Sequence, residues 1–536
     1  RNETTNLRSS RLLNSTLPQI LLPGDEDDKN SFPRLFFSST YDTSKMTTEV
    51  GSVKPKMSAW LIFSIVVISM GSIFWGYDIG ILSTIYVSPG FNKALDSPSS
   101  SDKGLITSIF YAGQFAGFAF LAGPCNNKFG RRWAGFGGVC MLCVGAAIQT
   151  GAVHLAMMVV GRIVAGVGTG VVSTAVPLYL SEISPAKHRG LFVAANQVGI
   201  VFGISMAFWV GYGYSFWNYG KGIELEWRLS NAMQFVPALL FLGGVPFIPE
   251  SPRWLVETDQ MEAASQSLAK LRGLTTTEVQ PELDEIHANI LWHQENSITS
   301  ARVFIQQKPL WSRLWRAWSL AFLQQMSGAA GIRYYLPTNF VAAGTSKELS
   351  LLASGIDGTV QVVCTVAAMF FIDKLGRRHS LGVGAINGAL QLAYPGQTNS
   401  HANYVNIFFI FFFTVGYSMG FGPCAWIYAS EIFPANCRSK GLGISSSGAS
   451  LGSIIVGQVW PVAVSRIGPK VYFIFMSFNV FSAILVYSCY PETKGKTLEE
   501  LDSHFGSLNV HSEEDATPKQ MLAGEEQRVE MRGKSV

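Results

Sequence analysis

Apolar runs of about 20 residues recur along this chain, and each is long enough to cross a bilayer as a helix. Of the 536 residues, 48% are hydrophobic and only 14% are charged, a composition that does not suit a string of soluble domains. The pattern predicts an all-α, polytopic membrane protein. We count about twelve runs, near residues 57–77, 104–124, 134–153, 155–178, 191–212, 230–248, 316–341, 349–372, 380–395, 403–429, 440–461 and 469–490. The ninth of these runs, 380–395, is the shortest and is rich in glycine and alanine.

The basic residues of the short loops fall on one side of the predicted membrane. Because lysine and arginine are enriched in cytoplasmic loops, this side is predicted to be cytoplasmic. Lys54 and Lys56 then place the N-terminus in the cytoplasm, and an even number of spans places the C-terminus there too. We expect a multi-pass protein of the plasma membrane. The loop residues that set this orientation are Lys128, Arg131, Arg132, Lys187, Arg189, Lys374, Arg377, Arg378, Arg438 and Lys440.

The second half of the chain repeats motifs of the first half at nearly one spacing. Repeats related by an axis along the membrane normal are typical of one transporter architecture, whose substrate site lies between the halves near the midplane. We therefore predict two bundles of six helices. The repeated pairs are Ser181–Ile183 with Ser430–Ile432, about 249 positions apart, Gly130–Arg132 with Gly376–Arg378, about 246 apart, and Pro249–Ser251 with Pro491–Thr493, about 242 apart.

Polar segments around these bundles set the predicted domain boundaries. The chain begins with arginine, and we expect Met46 to be the native start. Helix-like periodicity at Glu262–Leu271 and Leu283–Trp292 predicts short helices in a cytoplasmic linker. The predicted order is an N-terminal tail over 1–56, a first bundle over 57–248, the linker over 249–315, a second bundle over 316–490 and a C-terminal tail over 491–536.

Seven short motifs follow one another along the chain: GYDIG at Gly76–Gly80, NKFGRR at Asn127–Arg132, PESPRW at Pro249–Trp254, QQMSG at Gln324–Gly328, DKLGRR at Asp373–Arg378, GPCAW at Gly422–Trp426 and PETKG at Pro491–Gly495. In this order and spacing they resemble the sugar porter family of the major facilitator superfamily. The overall pattern is similar to fungal monosaccharide and quinate permeases. The resemblance implies proton-coupled uptake of a monosaccharide, or of a related polyol or sugar acid, by two bundles that rock around a central site.

In the first half, two charged residues lie within predicted spans, Asp78 in the first and Arg162 in the fourth. A charge inside an apolar span costs at least roughly 2.5–3.5 kcal/mol, so each needs a partner or a water-filled cavity. We expect the two to pair, with Asp78 able to carry a proton when the helices part. The resemblance implies proton coupling at these positions. A purely structural ion pair between the two spans is the alternative.

Gln197, Gln324 and Gln325 also lie within apolar spans. An amide both donates and accepts hydrogen bonds, so it suits the alternating hydroxyls of a sugar. All three match substrate contacts of the family that the chain resembles. Hydrogen bonding between helices is the alternative, because glutamine is often used in this way in membranes.

The resemblance implies roles for three aromatic residues as well. Trp426 follows a Gly-Pro pair and resembles the tryptophan that covers the sugar, while Tyr334 and Tyr335 resemble gate residues at the outer end of the seventh span. Ordinary packing is the alternative for all three. The sequence departs from the family at Ala330, where asparagine is frequent, so we expect a pocket that differs from that of a standard glucose carrier.

Arg333 and Asp357 flank the predicted hairpin between the seventh and eighth spans. Its loop centres near Thr345, about 12 residues from each, so both would lie about 18 Å below the turn at 1.5 Å per residue. We expect them to pair, which would offset the cost of burying each charge. The alternative is that Arg333 faces the cavity and binds an anionic sugar such as a uronate, or quinate.

The basic loops are expected to form a cytoplasmic latch. In the family that the chain resembles, the Gly-Arg-Arg arginines contact glutamates and span ends when the transporter faces outward. The family's aspartate in the first loop is Asn127 here, whereas Asp373 is retained in the second, so we expect a looser latch in the first half. Fixing membrane topology is the alternative role. The predicted latch residues are Arg131, Arg132, Glu182, Arg189, Arg377, Arg378, Glu431 and Arg438.

Nothing in the sequence indicates an enzyme, a cofactor or a metal site. No phosphate-binding loop or nucleophile arrangement stands out, and Cys140 and Cys143 match Cys-x-x-Cys without a second pair. The expected partners are a sugar or polyol, a proton and the bilayer; we expect no nucleic acid and a monomeric protein. Two rival functions stay open, a facilitative carrier that ignores protons and a sugar receptor that kept the fold but lost transport.

Overall fold

Helices account for nearly all of the described chain in the computed structural model, and no strand occurs among the described residues. The structure describes residues 58–185, 189–217, 222–296, 302–342, 344–382, 384, 400–434, 437–494 and 505. A few side chains within these ranges lie outside the description, that of the predicted latch residue Arg189 among them. The predicted N-terminal tail, Met46 and most of the C-terminal tail also lie outside the described residues.

The first half of the fold consists of long helices joined by short turns. They are α1 (Ala59–Ile85), α2 (Pro89–Ala94), α3 (Ser100–Ala116), a π-helical turn (Gly117–Ala122), α4 (Gly123–Thr150), α5 (Leu155–Ile183), α6 (Arg189–Tyr214), α7 (Gly222–Ala232), α8 (Phe235–Gly244) and a 3₁₀ turn (Val245–Phe247). Asp78 lies in α1 and Arg162 in α5, so the two predicted coupling residues come from helices far apart in the sequence.

Four short helices connect the halves: α9 (Pro252–Glu257), α10 (Met261–Arg272), α11 (Gln280–Asn296) and α12 (Val303–Gln306). α10 and α11 cover both segments whose periodicity predicts linker helices. The second half contains α13 (Lys308–Met326), α14 (Ala329–Tyr334), α15 (Leu336–Ala342), α16 (Lys347–Leu375), α17 (Ser400–Met419), α18 (Phe421–Ile432), α19 (Arg438–Ile467), a 3₁₀ turn (Gly468–Lys470) and α20 (Val471–Cys489).

The described helices overlap eleven of the twelve predicted apolar runs. Within the described ranges, eight helical segments are long and apolar enough to cross a membrane, with residues 100–150 counted as one segment. The ninth predicted run, 380–395, falls mostly on residues outside the description. The proposed boundaries of the bundles, linker and tails stay predictions.

Glycines interrupt the helices at the repeated motifs. Gly130 and Gly376 have φ angles of +84° and +88°, a conformation that residues with a side chain rarely adopt. Gly130 thereby turns the chain inside the 100–150 segment. Gly328, with φ +90°, separates α13 from α14, so the seventh predicted run consists of three consecutive helices.

α1 packs against α6 through the two glycines of the GYDIG motif. A Cβ atom at Gly76 would lie 1.9 Å from the carbonyl oxygen of Ile200, and one at Gly80 would lie 2.8 Å from that of Ile204. Only glycine permits so close a backbone approach. Because Asp78 lies between these glycines, the contact fixes the position of the carboxylate that the next section describes.

Candidate functional site

Asp78 and Arg162 form an ion pair that is closed off from solvent. Arg162 Nη1 donates to Asp78 Oδ2 at 2.7 Å, and both side chains are 0% exposed. The guanidinium also stacks on the Phe110 ring, 4.2 Å from its centroid, and its Nε donates to the carbonyl oxygen of Ile106 at 3.3 Å. The pair therefore joins α1 to α5, with α3 covering the guanidinium.

Hydrogen bonds do not satisfy every atom of this pair. Asp78 Oδ1 and Arg162 Nη2 are buried and have no hydrogen-bond partner among the described residues. Gln149 Oε1 lies 3.5 Å from Arg162 Nη1, at the outer limit of a hydrogen bond. Asp78 Oδ1 is thus the atom at which a proton can bind without displacing an existing hydrogen bond.

The three predicted amide contacts have different surroundings. Gln324 is buried, and its amide nitrogen donates to the carbonyl oxygens of Phe421 at 2.8 Å and Gly422 at 3.0 Å. In this conformation Gln324 therefore ties α13 to the start of α18, which is the helix–helix contact that the sequence left as the alternative. Gln325 and Gln197 are partly exposed, and the carbonyl oxygen of Gln325 has no hydrogen-bond partner among the described residues.

The predicted gate tyrosines contact helices of the first half. Tyr335 stacks on Tyr86, with ring centroids 5.4 Å apart, and its hydroxyl lies 3.0 Å from Thr107 Oγ1. Tyr334 is fully buried and packs edge-on against Tyr111 at 5.9 Å. Both residues therefore link the two halves of the protein.

Trp426 differs from these tyrosines because its side chain is 47% exposed. It lies in α18, the same helix whose first carbonyl groups accept the hydrogen bonds of Gln324. The indole ring is thus not fully covered by other residues in this conformation, and Gln324 hydrogen-bonds to the start of the helix that carries it.

Two further contacts close the end of the halves that lies opposite the basic loops. Ser108 Oγ donates to Gln458 Oε1 at 3.0 Å, which joins α3 to α19. Lys347 Nζ lies 2.8 Å from Glu226 Oε1, which joins the start of α16 to α7. None of these four residues could be identified from the sequence, because none belongs to a repeated motif or stands alone as a charge in the middle of an apolar run.

The expected ion pair between Arg333 and Asp357 is not formed in this structure. No carboxylate oxygen of the described residues lies within 4.0 Å of an Arg333 nitrogen, and the guanidinium stacks on the Tyr417 ring, 5.2 Å from its centroid. Asp357 Oδ1 instead accepts a hydrogen bond from Thr414 at 2.7 Å. The prediction assumed two straight helices, whereas the chain is interrupted between α14 and α15, at Tyr335, which lies between Arg333 and the loop. Arg333 and Asp357 nevertheless line one small cavity.

The latch residues of the first half form a network within that half. Arg131 Nη2 lies 2.9 Å from Glu182 Oε1 and 2.8 Å from Glu257 Oε2. The Arg132 guanidinium donates to the carbonyl oxygen of Ile248. Glu257, which the sequence analysis did not name, thus brings the linker helix α9 into this network.

The second half repeats this arrangement. Arg377 Nη2 lies 2.8 Å from Glu431 Oε1, and the Arg378 guanidinium donates to the carbonyl oxygen of Tyr487. Arg438 Nε donates to a backbone carbonyl at 3.3 Å. Each of these contacts stays within its own half, so the latch residues do not bridge the halves through the contacts described here.

Two glutamates of the repeated Pro-Glu motifs bind the Gly-Arg-Arg loops. Glu250 accepts a hydrogen bond from the backbone N–H of Arg132 at 3.1 Å. Glu492 accepts from the backbone N–H groups of Arg377 at 2.9 Å and Arg378 at 3.0 Å. Each carboxylate therefore satisfies N–H groups at a helix start, where negative charge is favourable. The repeat of the Pro-Glu motifs was the signal that could have identified both.

The two repeated carboxyls have different proton affinities. Burial raises the pKa of the Glu250 carboxyl above its ordinary value, although the backbone N–H groups of Ser251 and Arg132 oppose this shift. Burial acts in the same direction on Glu492, but backbone N–H groups, led by that of Lys494, outweigh it. The pKa of the Glu492 carboxyl therefore lies below its ordinary value, and the two loops differ chemically despite their similar sequences.

Comparison with known proteins extends these observations to a family. Residues 64–505 match the family described as "Sugar (and other) transporter". The chain is 34% identical over 457 residues to the MFS-type transporter criB of Aspergillus cristatus, covering 82% of this chain and 92% of that protein. It is 31% identical over 465 residues to a high-affinity glucose transporter of Kluyveromyces lactis, covering 81% and 83%.

Solved structures of the xylose transporter XylE from E. coli have the same fold. A partially occluded, inward-open conformation matches with a TM-score of 0.71 and 26% identity, covering 82% of this chain and all of that chain. The proton:xylose symporter XylE bound to 6-bromo-6-deoxy-D-glucose matches with a TM-score of 0.69 and 28% identity, covering 83% and 99%. The predicted all-α major facilitator fold is confirmed. The chain belongs to the sugar transporter family of the major facilitator superfamily.

Proposed function

We propose that this protein takes up a monosaccharide, or a related polyol or sugar acid, together with a proton. The observation that carries the proposal is the Asp78–Arg162 pair, which is fully buried between α1 and α5. An ionisable residue inside a membrane span indicates a functional site, and its arginine partner competes with a proton for the carboxylate. One proton crossing a potential of 100 mV supplies about 2.3 kcal/mol, enough for roughly fifty-fold accumulation.

The proposed cycle opens each end of the protein in turn. The Tyr86–Tyr335 stack and the Glu226–Lys347 pair close the end that the positive-inside rule puts outside, as an inward-facing state requires. These contacts must separate before a substrate can enter from that end. Protonation of Asp78 neutralises the carboxylate and weakens its bond to Arg162, which couples the proton to movement of α1 against α5.

Gln197, Gln325 and Trp426 are the proposed substrate contacts, because their side chains are partly or largely exposed. We assign Gln324 a positioning role for α18 in this conformation, with substrate contact after α18 moves. Two relatives support a monosaccharide, since one is named for glucose and the other for xylose with a proton. The arginines and glutamates of the basic loops are proposed to form the latch in the outward-facing state.

The protein is proposed to act as a carrier and not as an enzyme, without a cofactor, because the similar proteins are transporters. We place it in the plasma membrane as a monomer with both termini in the cytoplasm. Two rivals differ from this proposal in measurable ways: a facilitative carrier takes up sugar without protons, and a receptor binds sugar without uptake.

The test is sugar uptake by purified protein in liposomes under an imposed pH gradient. We expect wild-type protein to accumulate sugar when the outside is acidic, and Asp78→Asn to lose accumulation while still exchanging sugar across the membrane. Glu285→Gln, which removes an exposed carboxylate from α11, is the matched control and should behave as wild type. Uptake that ignores the gradient would favour the facilitative carrier, and binding without uptake would favour the receptor.

A further inference from the structure

Polar side chains that the proposed proton site does not use converge on one cavity in the second half. The cavity has a volume of about 20 Å³ and is lined by Arg333, Asp357, Gln361, Thr414 and Tyr417, with apolar residues completing its wall. Its polar residues come from α14, α16 and α17, so it is a product of the fold and not of one sequence motif.

The guanidinium of Arg333 presents unused hydrogen-bond donors to this space. Its nitrogens make no hydrogen bond to the described residues and no ion pair within 4.0 Å of their carboxylates. They are also not among the buried polar atoms without a partner, so a solvent-sized group reaches them. The guanidinium carbon lies over the Tyr417 ring, 5.2 Å from its centroid, and this contact restricts where the group can lie.

Side chains next to Arg333 also have polar atoms that make no hydrogen bond to the described residues. Thr414 occupies one oxygen of Asp357, and the other oxygen has no hydrogen bond to the described residues. The side-chain amide of Gln361 and the hydroxyl of Tyr417 also make no hydrogen bond to the described residues, and none of these atoms is fully buried. A few convergent polar groups in an otherwise apolar wall are typical of a ligand subsite.

Arg333 and Arg162 differ in their exposure and in their contact with a carboxylate, and both properties affect whether an anion can bind. Arg162 is 0% exposed and contacts Asp78 at 2.7 Å, whereas Arg333 is partly exposed and contacts no carboxylate of the described residues. A cation in a membrane span requires water, an anion or a counter-ion. Arg333 therefore has a place for an anionic group that Arg162 does not have.

We propose that Arg333 binds the carboxylate of an acidic substrate, so that polyhydroxylated carboxylic acids are preferred to neutral sugars. A planar guanidinium matches a carboxylate through two parallel hydrogen bonds. A space of about 20 Å³ exceeds the roughly 10–15 Å³ that one water needs, so it admits a single substituent and not a sugar ring. The ring would lie toward the contacts assigned under the proposed function, on which this inference rests.

The main competing arrangement is a water-bridged ion pair between Arg333 and Asp357 that serves only the fold. The two arrangements differ in what Asp357 contributes. In a structural pair, loss of either charge damages the protein in the same way. In an anion subsite, Asp357 is a like charge next to the substrate, so its neutralisation leaves acid binding intact or strengthens it.

The experiment compares glucose and xylose with glucuronate and gluconate, both by uptake in liposomes and by the ligand-induced rise in melting temperature of purified protein. For Arg333→Gln we expect uptake and binding of the acids to fall about 10- to 100-fold, while neutral sugars stay within about two-fold of wild type. Arg333→Lys should keep part of the acid binding, and Asp357→Asn should keep all of it. Arg466→Gln removes an exposed charge from the end of α19 and is the matched control.

The outcomes separate this inference from the proposed function. Equal loss of acids and neutral sugars in Arg333→Gln, no loss of either, or loss of acid binding in Asp357→Asn as well, would overturn the anion subsite while leaving proton-coupled transport untouched. Wild-type protein that binds no acid would also overturn it. If wild-type protein transports nothing but binds acids through Arg333, the subsite stands and the transport proposal fails.

Discussion

The Asp78–Arg162 pair allows a double-mutant cycle whose magnitude follows from its burial. Both side chains are 0% exposed, and the contact is direct at 2.7 Å. Asp78→Asn leaves Arg162 as a buried charge without a counter-ion, and Arg162→Gln does the same to Asp78. Removing one partner of a buried pair costs about 3–5 kcal/mol, so each single variant should lose this much free energy of unfolding.

The double variant should lose much less than the two single losses together. It contains two neutral amides, which can hydrogen-bond to each other and leave no buried charge. We expect a coupling energy of at least about 2 kcal/mol, well above the 0.2–1 kcal/mol, roughly, of an exposed pair. The measurement is the free energy of unfolding of wild type, both single variants and the double variant in mixed micelles with increasing SDS.

Measurements on the same four proteins also distinguish an effect on folding from an effect on proton-driven transport. The double variant should recover folding but not proton-driven accumulation in liposomes, because it has no carboxylate at position 78. Single losses that add to within about 0.5 kcal/mol would refute the argument, since they would mean that the two charges do not depend on each other. Accumulation by the double variant would remove Asp78 as the proton carrier.

Four further predictions concern other contacts. Glu226→Gln should shift the population toward the outward-open state by about five-fold, because it removes the partner of Lys347 at the closed end. A cysteine introduced at that closed end should then react faster with a membrane-impermeant thiol reagent. An unchanged reaction rate would contradict this prediction. Since the pKa of Glu492 is lowered, its ionised form stabilises the protein above pH about 4.3, and Glu492→Gln should lower the melting temperature at pH 7 by an amount that shrinks as the pH falls. Since the pKa of Glu250 is raised, Glu250→Gln should gain stability relative to wild type as the pH rises from roughly 4 to 7. If the melting temperatures of Glu492→Gln and Glu250→Gln changed with pH in the same way, the directions of both pKa shifts would be contradicted. Gln324→Ala should raise the KM for sugar and lower the melting temperature, because α18 loses two hydrogen bonds; a change in KM alone would favour direct substrate contact.

The sequence alone was sufficient to predict a structural feature where a single physical constraint acts over a whole helix. Apolar runs, their number and the repeated motifs predict the helices and the two halves, because a membrane requires about 20 apolar residues for each span. The partnership of Asp78 and Arg162 was predictable for a similar reason, since few charges lie in the first six spans and each needs compensation.

Prediction failed where the outcome depends on the register between helices. The expected Arg333–Asp357 pair assumed a continuous helix, but α14 ends at Tyr334 and α15 begins at Leu336, so the helix is interrupted between Arg333 and the loop. Contacts such as Glu226 with Lys347 join residues 121 positions apart that carry no motif, so only the fold brings them together. The hydrogen bonds of Gln324 likewise depend on where α18 starts, because they join its amide to the first carbonyl groups of that helix.

Each half contains a site in which an arginine and a carboxylate lie near an aromatic ring, although the two sites occupy positions that the repeat does not relate. In each half an arginine lies on an aromatic ring, Arg162 on Phe110 and Arg333 on Tyr417, and a carboxylate lies nearby. In the first half the carboxylate binds the arginine and closes the site, which suits an exchange between a proton and a fixed cation. In the second half Thr414 holds the carboxylate, so the arginine stays open to a ligand. In the roles proposed above, the same residue types serve the proton in one half and the substrate in the other, because the carboxylate contacts the arginine only in the first.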